Sequence, residues 1–158
     1  PHRQLRNSML RRHSRGGRME NLKLMQLPVE HIHRAWSQIE PLLASIEPYS
    51  NGECTTEQSK VELIKGLSTT IVIVDTTMKI VGVIIGEWKM SPGKRVFFVT
   101  GWAGSNAMND SLWEDIMNWV KSNGGTHIQG AGRDSVFRLH RQKRGFEKVY
   151  TVYEKEII

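Results

Sequence analysis

Glu87 is the carboxylate best placed to take a proton, because it stands in Gly86-Glu87-Trp88 at the end of an apolar run, where the Trp88 indole could shield it from water. The plainer reading is a solvated strand-end residue facing Lys89 or Lys94. A second chemical element is the stretch Gly101 to Asp110, GWAGSNAMND, which joins a run of β-formers to a helix. The first amides of a helix are unpaired and its dipole favours negative charge, so such a stretch can hold an anion. Arg138, Arg141, Lys143 and Arg144 close a later helix, where cations satisfy the dipole or reach a phosphate. Trp102 either covers a ligand or plugs the end of its strand. Other candidates carry less. Cys54 is the single cysteine, so no intrachain disulfide forms, the chain suits a reducing compartment, and nothing nearby in sequence activates the thiol. His31 and His33, two apart on a helix, diverge, which argues against a metal pair; no metal site is expected, and His127 and His140 read as structural.

The elements that position these residues follow from periodicity. Val96 to Val99 form a buried strand between the turn string Ser91-Pro92-Gly93-Lys94 and Gly101. Ser111 and Glu114 have the spacing of a capping box, which predicts a helix start there; Leu112, Ile116, Trp119 and Val120 give it an apolar stripe, and Gly124 ends it. Upstream, Leu22 to Leu27 reads as a strand and Pro28 as the first turn of a helix with Ile32, Trp36, Ile39, Leu43 and Ile46 on one face; Pro41 predicts a kink or a second helix. Thr55 and Gln58 form another capping box, ahead of Val61, Leu63, Ile64 and Leu67. Ile71 to Val74 and Ile80 to Trp88 flank a turn and, with Val96 to Val99, predict an antiparallel meander. Its first two runs are apolar on both faces, so helices must cover both sides. Thr126 to Gly130 reads as a fifth strand, Asp134 as the cap of a helix ended by Gly145, and Phe146 to Lys155 as a last strand with Val149, Thr151 and Tyr153 on one face.

A chain of 158 residues accommodates one domain with a proper core. The net charge of +6 is confined to one end: Arg3, Arg6, Arg11, Arg12, Arg15 and Arg18 lie in residues 1–18, which contain no acid, and the other 16 basic residues balance the 16 acidic ones. This stretch is expected to be a basic disordered tail, or a translated leader with Met19 as the start, since Ser-Arg-Gly-Gly-Arg is what a purine-rich ribosome-binding site gives when read as codons. Nucleic acid is a partner only if the tail is native. No apolar run approaches the length needed to span a membrane, so none is expected as a partner.

The order from Met19 is strand, one or two helices, helix, three-strand meander, helix, strand, helix, strand. It resembles the GNAT superfamily of acyl-CoA N-acyltransferases over nearly all of residues 19–158. The resemblance implies an α/β (α+β) fold with a mixed, mainly antiparallel central sheet and helices on both faces. It also implies that the strand, loop and helix around Gly101 to Asp110 seat the pyrophosphate of acetyl-CoA, with Val99, Gly101, Gly104, Ser105, Asn106, Ala107, Asn109 and Arg141 as the cofactor-binding positions. Laying Leu112 to Gly124 on the family's helix puts the basic or Gln position of R/Q-x-x-G-x-G/A on Gly104 and the two small positions on Ala107 and Asn109, of which Ala107 is small. Further on, Asp134, Phe137, Arg141, Gly145 and Phe146 fall on the family's N-x-x-A-x-x-x-Y-x-x-x-G-F; the Gly-Phe pair matches, whereas the Tyr that serves as general acid falls on Arg141.

Two functions follow as expectations. One is acetyl transfer from weakly held acetyl-CoA to an amine, with Glu87 as the base. The other is a catalytically silent GNAT-fold module that binds proteins in an assembly, like the small GNAT-like proteins of bacteriophage virions. The location is then cytoplasmic, or the virion.

Overall fold

The computed structural model describes residues 21–50, 52–104 and 109–158. Among these residues five strands form one sheet in sequence order: β1 (Lys23–Leu27), β2 (Thr69–Val74), β3 (Ile80–Ser91), β4 (Lys94–Ala103) and β5 (His127–Gly130). The first three pairings are antiparallel and β4 pairs with β5 in parallel, because helix α3 (Asp110–Ser122) carries the chain back between them. The other helices are α1 (Ile32–Ile46), α2 (Thr56–Ile64) and α4 (Asp134–Arg144). This is the mixed, mainly antiparallel sheet covered on both faces that the sequence predicts.

Alternation along Ile71 to Val74 of β2 and Val83 to Ile85 of β3 divides the core in two. Val72, Val74, Val83 and Ile85 pack with Ile32, Trp36, Ile39 and Leu43 of α1 and Leu63 of α2. Ile71, Ile73 and Ile84, with Phe97 of β4, pack under Leu112, Trp113, Ile116 and Val120 of α3. Fully buried side chains of this kind contribute about 1.5–3 kcal/mol each, so the two layers hold the sheet between the helices.

Local signals set several boundaries. Thr55 and Gln58 make both hydrogen bonds of the capping box at the start of α2. Two bonds of a Schellman ending, Gly125 N–H to the Val120 carbonyl and Gly124 N–H to the Lys121 carbonyl, terminate α3. Pro41 lies inside α1, which runs on as one helix; the two-helix alternative is excluded because the apolar face from Ile32 to Leu43 stays continuous across it.

Other expectations need correction. The cap of α3 is Asn109, whose Oδ1 accepts from the Leu112 N–H at 3.1 Å, so Ser111 lies inside the first turn and the helix starts at Asp110. Asp134 is likewise the first residue of α4; the capping position is Arg133, which makes no side-chain cap bond. β4 continues through Gly101 and Trp102 to Ala103, because β3 still pairs with them, so the connection to α3 is shorter than GWAGSNAMND. Residues 146–158 form no strand. Phe146 is drawn into an aromatic cluster instead, and Val149, Tyr150, Val152 and Tyr153 stay exposed beside charged neighbours.

Candidate functional site

The feature that sets this end of the sheet apart is a β-bulge between β3 and β4. Ile85 is paired with Gly101 and Gly86 with Val99, leaving Thr100 as an extra residue on β4, whose hydroxyl donates to the Ile85 carbonyl at 3.2 Å. The parallel ladder with β5 stops at the same level, at Val99 opposite Gly130. Beyond it β4 runs to Ala103 bonded on the β3 side, and no strand among the described residues pairs with its outer edge. This end of β4 reaches α3 through Trp102, whose ring meets that of Trp113.

The bulge also changes which face each side chain takes. Val99 and Trp102 both pack on the α3 side, with Thr100 and Gly101 between them, whereas Ala103 packs on the α1 side. A Cβ at Gly101 would come 3.3 Å from Ile46, so this residue lies against the end of α1. At Gly104, φ is +115° and a Cβ would stand 2.7 Å from the Val81 carbonyl oxygen; the position needs glycine because its backbone presses on β3.

Contacts between α3 and α4 lie beside this end of β4. Arg144 Nη1 lies 2.6 Å from Asp110 Oδ1; the Arg144 side chain is 13% exposed and that of Asp110 is 88% exposed. The Arg144 guanidinium lies 5.4 Å from the centre of the Trp113 ring. Trp113 also meets Trp102 at 4.9 Å, His140 at 5.3 Å and Phe146 at 5.7 Å between ring centres. Burial in this cluster lowers the pKa of His140 below its ordinary value, and the positive charge of Arg144 lowers it further. Trp102 thus seals the strand end against α3.

The sequence candidates are only partly brought together. Glu87 is opposite Phe98 and continues the α1-side face of Val83 and Ile85. Trp88 points the other way, onto Phe97 at 5.1 Å and Trp119 at 5.7 Å, so it does not shield Glu87; successive strand residues cannot share a face. Lys89, on the Glu87 face, places its ammonium 3.9 Å from the Phe98 ring centre. Arg141 is exposed on α4. Asn109 uses its side chain as the α3 cap. Ser105, Asn106 and Ala107 lie outside the described residues. Among the described residues no group of three His, Cys, Asp or Glu side chains could hold a metal, and no helix is long and apolar enough to cross a membrane. The Asp110–Arg144 pair and the cluster around Trp113 were not foreseen. The Gly145-Phe146 pair was their one sequence signal, since it brings the end of α4 to α3.

No family model matches the sequence, and no curated protein matches it. Solved structures do match the fold. One described as a probable acetyltransferase superposes with a TM-score of 0.62 at 14% identity, covering 86% of this chain and 98% of that one. An aminoglycoside acetyltransferase from an uncultured soil metagenomic sample, in complex with sisomicin, gives 0.61 at 14% identity over 88% of this chain and 98% of its own. A ribosomal-protein-alanine N-acetyltransferase from Brucella melitensis biovar Abortus 2308 gives 0.61 at 14% identity over 86% and 99%. The chain has the fold of the GNAT acetyltransferases.

Proposed function

We propose that this chain is an acyl-CoA N-acyltransferase-like protein that holds acetyl-CoA weakly along the outer edge of β4 and passes the acetyl group to an amine. The observation that carries this reading is the end of the β4–β5 ladder at Val99 and Gly130, beyond which no described strand pairs with the outer edge of β4 on the way to α3. An extended amide-bearing arm can bond to such an edge as a strand would, and the helix end favours its phosphates. Acetyl-CoA would supply an activated thioester. The chain's part is to orient it on β4, to answer its phosphate charge near Asp110 and Arg144, and to accept the proton that the attacking ammonium must lose. Glu87 is the candidate for that proton. In the balanced reaction the amine gains the acetyl group, the carbon–sulfur bond breaks, and the CoA thiol and one proton leave.

A second reading is a catalytically silent GNAT-fold module that binds proteins in an assembly, such as a bacteriophage virion. It is favoured by Arg141, which occupies the position expected of a proton donor and cannot release a proton near neutral pH. Thiol release from acetyl-CoA separates the two. The acceptors would be aminoglycosides and peptides with a free N-terminus, the substrates suggested by the names of two fold neighbours. Release above the hydrolysis blank with any of them, lowered at least tenfold or so in Glu87→Gln, is expected of a general base. No release with any acceptor favours the silent module.

A further inference from the structure

We propose that Arg144 is the phosphate-binding cation of this site and that Asp110 is its built-in, displaceable counter-ion, which lowers the affinity of the site for phosphate. The inference rests on the reading that acetyl-CoA binds beside α3, and it names the residues that set the affinity there.

The two partners are unequal. Arg144 is 13% exposed, its guanidinium lies 5.4 Å from the Trp113 ring, and the following Gly145 and Phe146 turn back into the same cluster. Its position is fixed by packing. Asp110 is 88% exposed and can swing into water without disturbing a neighbour's packing. An ion pair with one solvated partner is weak, so a ligand bearing several phosphate charges replaces it at small cost. A phosphate offers the guanidinium fork more acceptor oxygens than a single carboxylate oxygen does, and the bonds are charge-assisted.

The arrangement also accounts for Gly104, which stands where the resemblance expects a basic or Gln side chain. That position is closed to any side chain, since a Cβ would lie 2.7 Å from the Val81 carbonyl oxygen. The positive charge comes instead from α4, on the other side of the helix N-terminus. Until a ligand arrives it is neutralised by Asp110.

The test is calorimetric titration of acetyl-CoA at low salt into the native chain, Asp110→Asn and Arg144→Met, with pantetheine, which has no phosphate, as the control ligand. Asp110→Asn is exposed and keeps the cap at Asn109, so it folds. Removing the competing carboxylate should tighten acetyl-CoA binding by about threefold or more. Arg144→Met should weaken it by roughly tenfold, the value of a charge-assisted hydrogen bond. Pantetheine binding should not change. If the native chain and Asp110→Asn bind acetyl-CoA equally, the counter-ion role is overturned while the acetyl-CoA reading stands. If Asp110→Asn shows no binding at all, both are overturned.

Discussion

Arg144, the last residue of α4, places its Nη1 atom 2.6 Å from Oδ1 of Asp110, the first residue of α3. Each residue carries the charge its own helix end favours: an acid at the positive N-terminus of α3 and a base at the negative C-terminus of α4. The pair is half in water, so its contribution to stability is small, about 1 kcal/mol or less. Its consequence is electrostatic. It puts a carboxylate where an anionic ligand would sit and a cation within that ligand's reach.

The identity of the α3 cap is testable by stability alone. Asn109 accepts from the Leu112 N–H at 3.1 Å, whereas Ser111 lies within the first turn. Asn109→Ala should cost about 1 kcal/mol in denaturant unfolding and Ser111→Ala a few tenths at most. A larger loss at Ser111 would return the helix start to the capping-box position.

The sequence made legible those features whose causes are local. The runs Ile71 to Val74 and Ile80 to Trp88, apolar on both faces, revealed the meander and its two covered faces, and the Thr55–Gln58 spacing revealed a capping box that forms in full. Asn109 and Ser111 are both good caps, so spacing alone does not decide the α3 start, and Asn109 takes the position. Phe146 to Lys155 alternates well enough for a strand, but β5 is four residues long and Phe146 is held by Trp113 and His140. The Asp110–Arg144 pair joins residues far apart in sequence, and no periodicity encodes it. The resemblance puts Arg141 of α4 among the cofactor positions, whereas the α4 residue that meets the start of α3 is Arg144.

Gly86 is required by the ring above it. A Cβ there would stand 2.3 Å from Phe97 Cζ, and Phe97 is fully buried between Trp88 and Trp119. Gly86→Ala should destabilise the chain by about 1–3 kcal/mol, and adding Phe97→Leu should cost less in that background than in the native one. Simple additivity in the double-mutant cycle would place the strain elsewhere.

His140 makes stability depend on pH. Its folded pKa lies below the ordinary 6.5, chiefly through burial and then through Arg144. As pH falls through about 6.5 the unfolded chain takes up this proton before the folded one does, so stability is lost on acidification. His140→Phe keeps the aromatic packing against Trp113 and removes the proton site. Its melting temperature should therefore fall less than that of the native chain between about pH 7 and pH 5.5. Parallel curves would show that His140 titrates alike in both states.

In the GNAT fold of this chain, Asp110 stands at the start of α3, where the proposed acetyl-CoA phosphates would bind. Titrating acetyl-CoA at low salt into the native chain tests this directly. The expected dissociation constant is on the order of 1 mM or above, equivalent to about 4 kcal/mol or less. Micromolar binding by the native chain would contradict it.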